Sequence, residues 1–124
     1  MIFMDEVFAG TEKLYRAVYP PEIMDMFWKR DGSLSSAAFA DPKGLSVDRG
    51  NYRTDEEVLA DMKKSFTGTI ISIYSKHCFD TGAVIHYLPS KRNIYHSEIH
   101  GSADTPLLSK IQRRYLAQRA VKVG

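Results

Sequence analysis

The segment Ile94-Tyr95-His96-Ser97-Glu98-Ile99-His100 reads as a strand, and its reading decides the fold. Side chains on a strand alternate between faces, so His96, Glu98 and His100 are predicted to project from one side. The preceding segment, Ala83 to Leu88, is a second strand, and the basic loop Pro89 to Asn93 lies between the two. A hairpin across that loop carries His86 toward His96 or His100.

Working outward, Lys13 to Tyr19 is a further strand, with Leu14, Arg16 and Val18 on one face and Tyr15, Ala17 and Tyr19 on the other. Pro20-Pro21 ends it, because proline cannot donate to a ladder. Glu22 to Lys29 is predicted as a short helix with Ile23, Met26 and Phe27 as its apolar stripe. Ser33 to Phe39 is predicted as a short strand or a tight segment against the core, and Leu45 to Val47 as a brief extended piece. Thr54-Asp55-Glu56-Glu57 is a capping box, followed by Val58, Leu59, Met62 and Phe66 at helical spacing and a stop at Gly68. Thr69 to Ser75 reads as a buried strand, and Pro106 opens a final helix carrying Leu107, Leu108, Ile111, Tyr115 and Leu116. Residues 1–12 form a weak amphipathic start. These elements predict an α+β fold: a mostly antiparallel sheet with a central and a C-terminal helix packed on it.

The 124 residues suit one globular domain, 1–124, large enough to bury a core without staples. Hydrophobic residues make up 44% and charged residues 26%, both ordinary for a globular chain. No apolar run reaches the ~18 residues of a membrane helix. Met1 to Glu6 lacks the basic start of a signal peptide. Cys78 is the only cysteine, which excludes an internal disulfide and multi-cysteine zinc motifs. The expectation is a cytoplasmic protein.

Two imidazoles flanking a carboxylate suit a metal site, an acid–base site or a ligand pocket, and the pattern does not choose among them. As metal ligands, His96, Glu98 and His100 meet a geometric obstacle. Residues two apart on a strand are roughly 6.5–7 Å apart at the backbone, so neighbours can share an ion but the outer pair hardly can. The plainer alternative is that the histidines hydrogen-bond on a half-exposed sheet face. Cys78 beside His77 suggests a thiolate–imidazole pair, but strand neighbours point to opposite faces, which favours a structural cysteine. Trp28, Tyr52 and Tyr95 are candidates to stack on a base or nicotinamide, or are core material.

A second constellation is ordered along the chain. It consists of Leu14-Tyr15-Arg16-Ala17-Val18, then Gly32-Ser33-Leu34-Ser35-Ser36-Ala37-Ala38-Phe39, then His96-Ser97-Glu98-Ile99. In these segments the chain weakly resembles the ADP-ribosyltransferase-like superfamily, which has an arginine in its first core strand, a serine-centred motif in a second and a glutamate in a late strand. The resemblance implies NAD as the ligand. It implies that Arg16 holds a dinucleotide phosphate, that Ser35 or Ser36 orients a ribose, and that Glu98, with His96 beside it, steadies the cation formed as the nicotinamide bond breaks. His96 stands where the family's transferases often carry Glu or Gln, which argues against transfer to a protein arginine and leaves NAD cleavage or another acceptor. The chain is also similar to small bacterial proteins with Ser-Ser-Ala-Ala-Phe followed by Leu-Ser-Val-Asp-Arg, to which no activity attaches.

Two accounts without catalysis compete. The formal charge of +2 is too small to argue nucleic-acid binding, but Lys110, Arg113, Arg114, Arg119 and Lys122 follow one another with no acid among them. In a nucleic-acid-binding account, Lys91, Arg92, Arg113 and Arg114 are the phosphate contacts. Alternatively, exposed tyrosines and the basic helix form an interface with a protein partner.

Overall fold

The computed structural model describes residues 5–124. Six strands form one antiparallel sheet: β1 (Lys13–Val18), β2 (Leu45–Arg49), β3 (Thr69–Tyr74), β4 (Val84–Tyr87), β5 (His96–His100) and β6 (Val121–Lys122). Their order is β4-β5-β2-β1-β3-β6. Helices α1 (Asp55–Met62), α2 (Ser75–Asp80) and α3 (Lys110–Arg119) complete the α+β architecture.

Strand alternation sorts the residues into two layers. Leu14, Val18, Leu45, Val47, Ile71, Ile73 and Ile99 form one core with Cys78, Leu108 and Leu116 from the helical layer of α2 and α3. On the opposite face Tyr15 and Ile70 pack against Val58 and Met62 of α1. α1 begins at the capping box, with the Thr54 hydroxyl accepting from the Glu57 amide and the Glu57 carboxylate accepting from Thr54. It covers only the β1–β3 side. Among the described residues no helix packs over the β2–β5–β4 side of that face, which bears Ser46, Asp48, His86, His96, Glu98 and His100.

The ladder between β1 and β2 is short. Only Leu14 with Arg49 and Tyr15 with Asp48 are in register, whereas β1 and β3 pair over their whole lengths from Lys13–Tyr74 to Val18–Thr69. Beyond Tyr15 the two strands part, leaving a seam inside the sheet.

A buried ion pair fastens the closed end of that seam. Arg49 grips Glu12 in a two-pronged contact, Nε to Oε2 at 2.7 Å and Nη2 to Oε1 at 2.8 Å, with side chains only 3% and 2% exposed. The guanidinium also donates to the Asp5 carbonyl and lies over the Phe8 and Tyr87 rings. Glu12 accepts from the Asn51 amide, and its own carbonyl accepts from the amide and hydroxyl of Ser75. Every prong of this cluster is satisfied, which buried charges require.

Several segments differ from the sequence expectation. Glu22 to Lys29 is not an α-helix; it holds only a 3₁₀ turn, Asp25–Phe27, with no side-chain cap at its start. Ser33 to Phe39 is the tight segment, closing in a 3₁₀ turn over Ser36–Phe39 that the Ser35 hydroxyl caps. The chain after Tyr74 turns directly into α2, so His77 and Cys78 lie on a helix and not on a strand. α3 starts at Lys110, four residues after Pro106, because Ser109 and Gln112 form the capping box there. The two-residue β6 had no sequence signal; it adds to the edge of β3 at Ile71 and Ser72. The expected start over residues 1–12 lies partly outside the described residues, and Asp5 to Thr11 holds no helix or strand. No helix among the described residues is long and apolar enough to cross a membrane.

Candidate functional site

Where β1 and β2 part, the uncovered face of the sheet opens into a groove of roughly 470 Å³. Its base is made by Ala17, Ser46 and Asp48, its far wall by Met62 at the end of α1 and Phe66 beyond it, and its other end by Asn93 and His96. Tyr19 and Phe66 contribute aromatic surface that is 51% and 41% exposed.

Arg16 also lines this groove. It belongs to the Leu14–Val18 face by alternation, and its Nε donates to the Ala38 carbonyl at 3.2 Å. Its Nη1 crosses the seam to the Ser46 carbonyl at 2.9 Å, replacing the ladder bond that the parted strands do not make. No carboxylate among the described residues comes within 4.0 Å of this guanidinium. Burial lowers its affinity for its proton, and the more distant Asp41 opposes that. Arg16 therefore brings a half-buried positive charge, with no carboxylate in contact, to the seam.

Asp48 was not expected as a site residue. It stands opposite His96 in the β2–β5 register and projects into the groove. Burial raises its carboxyl above the ordinary range, while the hydrogen bond from Asn93 Nδ2 at 2.8 Å and the charges of Arg53 and His96 pull the other way. In sequence it reads only as part of a plain strand, Leu45 to Arg49, entering a turn.

His96, Glu98 and His100 do share a face. The Glu98 carboxylate sits between the two imidazoles, with Oε1 2.9 Å from His100 Nε2 and Oε2 3.6 Å from His96 Nε2. His86, opposite Glu98 on β4, brings its ring to 4.6 Å from that of His100, edge to face. Gly44 closes over this row with φ +106°, where a Cβ would stand 2.6 Å from His100 Nε2 and 2.9 Å from Glu98 Oε1. Among the described residues no group of three or more His, Cys, Asp or Glu side chains is arranged to hold a metal ion. Only His100 and Glu98 are hydrogen-bonded within the row; His96 stands 3.6 Å from the Glu98 carboxylate, at the groove's end, where an imidazole can take or give a proton.

Ser35 and Ser36 stand apart from the groove. They belong to the 3₁₀ turn that packs against α3, and the Ser35 hydroxyl is committed to the Ala37 amide. Thus Arg16 and His96 both line one groove, Glu98 stands behind His96, and the two serines are elsewhere. Cys78 is fully buried, and desolvation pushes its thiol up to about 12, which suits a structural role. The aromatic candidates divide as well: Tyr95 lies beneath the Arg53 guanidinium at 3.4 Å, Tyr52 is 81% exposed on a left-handed backbone, and Trp28 donates Nε1 to the Tyr19 carbonyl. No family model matches the chain, and neither a curated protein nor a solved structure matches it.

Proposed function

We propose that the seam groove binds a small phosphate-bearing ligand of the nucleotide class, NAD among them, and that His96 and Glu98 act on the bond it presents. The observation that carries this reading is the unneutralised Arg16 guanidinium beside a groove that ends at His96. A guanidinium without a carboxylate is matched to a phosphate, which supplies two acceptors in the plane of the fork. Phe66 and Tyr19 offer surface for a base or nicotinamide ring. In hydrolysis, water attacks the sugar carbon as its bond to nicotinamide breaks and neutral nicotinamide leaves with the bonding pair; His96, facing Asp48 with Glu98 behind it, takes the proton that the water gives up, and the Asp48 carboxylate favours the positive charge developing on the sugar. The resemblance to ADP-ribosyl-transferring proteins supports cleavage of the nicotinamide bond as the reaction. It assigns the serines a ribose contact, which this reading does not use. A free, buried thiol fits a reducing setting, and we take the protein to be cytoplasmic.

The test is thermal melting with NAD and with ADP-ribose, alongside release of nicotinamide followed by chromatography. A rise in melting temperature with either ligand, lost in Arg16→Ala and kept in His96→Ala while nicotinamide release disappears, supports the proposal. No shift with either ligand for a wild-type protein that melts cooperatively overturns it.

A further inference from the structure

A second surface, on the helical layer, has the composition of a polyanion-binding site. α3 presents Lys110 and Arg114 to solvent on one stripe, which continues through Gln118 toward Lys122 just past the helix. Lys110 to Gln118 spans about 12 Å at 1.5 Å per residue. None of Lys110, Arg113, Arg114, Arg119 or Lys122 forms an ion pair among the described residues. The C-terminal end of the stripe opens into a groove of roughly 330 Å³ whose lining includes Trp28, Lys29, Gln118 and Lys122. Lys122 Nζ lies 5.7 Å from the Trp28 ring centroid. Nearby Asp31 turns its Oδ1 to the amide and hydroxyl of Ser33 instead of toward a lysine.

We propose that this surface binds single-stranded nucleic acid, with phosphates along Lys110, Arg114 and Lys122 and a base against Trp28 in the groove. Unpaired cations beside an aromatic ring are what a single strand needs, since phosphates answer the charge and any base can stack. Lys122 leaves the indole for a phosphate as a base enters, exchanging a cation–π contact for an ion pair and a stack. Exposed Ile111 and Leu107 flank the stripe and would also suit an anionic membrane. The concave, aromatic-walled groove argues for the strand, because a bilayer surface does not fill it.

Trp28 is the only tryptophan, so intrinsic fluorescence reports the proposed stack directly. The whole chain is titrated with an oligothymidylate about twelve nucleotides long and, separately, with phosphatidylserine-containing vesicles. Quenching by the oligonucleotide is expected. With three cations engaged, its affinity falls about twentyfold between roughly 50 and 200 mM salt, a log–log slope near −2. The double variant Lys110→Glu/Arg114→Glu, altering two exposed side chains and melting as wild type, weakens binding at least tenfold. Absence of oligonucleotide binding at low salt, or affinity unmoved by the double charge reversal, overturns the proposal. Binding to the vesicles alone overturns it in favour of a membrane surface.

Discussion

Glu12→Ala is the most severe single change that the structure identifies. The substitution deletes both prongs to Arg49 and the acceptor for the Asn51 amide, leaving a guanidinium that is 3% exposed without its counterion. Removing one partner of a buried pair costs about 3–5 kcal/mol, most of it the penalty of the stranded charge. The remaining contacts of Arg49, to the Asp5 carbonyl and the Phe8 and Tyr87 rings, supply no negative charge. A domain of this size holds about 5–15 kcal/mol in all, and each kcal/mol moves its melting temperature by about 3–5 °C. The expected loss is therefore about 10–20 °C, read by circular dichroism or differential scanning fluorimetry. A companion, Glu12→Leu with Arg49→Met, removes both charges and should recover at least half of that loss, because burial of apolar groups then replaces an unsatisfied ion. Refutation has two forms: a fall of less than about 4 °C in Glu12→Ala, or a double variant no more stable than the single one.

Gly44→Ala places a methyl group on a backbone at φ +106° and against His100 and Glu98, so it is expected to cost about 1–3 kcal/mol and to separate that pair. Chemical denaturation and histidine proton resonances follow the two effects. Asp48→Asn should stabilise the protein at neutral pH while abolishing groove chemistry. Folding raises the Asp48 pKa, so the folded state takes up the proton more readily than the unfolded one, and the ionised carboxylate opposes folding above its ordinary range. The advantage of Asn should accordingly shrink as pH falls through the raised pKa and vanish near pH 3–4; melting curves across that range decide it.

Much of the fold was legible because strand alternation and capping are local. Leu14 and Val18 went to one core and Tyr15 to the other, as period-two reading requires. Thr54 and Glu57 announced α1 at its first residue. The start of α3 was equally local, in Ser109 and Gln112, yet Pro106 drew the boundary too early. α2 follows β3 without a Gly or Pro between them, so nothing in Tyr74-Ser75-Lys76 marks the change from extended to helical backbone. The polar row of His96, Glu98 and His100 was visible in one segment, and His86 joined it through a hairpin that could be anticipated. The groove was not visible. It depends on how far β1 and β2 stay paired, a contact between residues more than thirty apart, and Asp48 gains its significance only from the depth at which that parting leaves it.

The parted strands also give the sheet a mechanical character. It consists of two three-stranded blades, β4-β5-β2 and β1-β3-β6, stitched at one end by a pair of ladder rungs and by the Gly50 amide on the Lys13 carbonyl. A molecule seated between Arg16 on one blade and His96 on the other acts as a staple. Part of its binding energy then resists their separation, and amides in the outer strands, far from any contact with it, exchange more slowly while it is held.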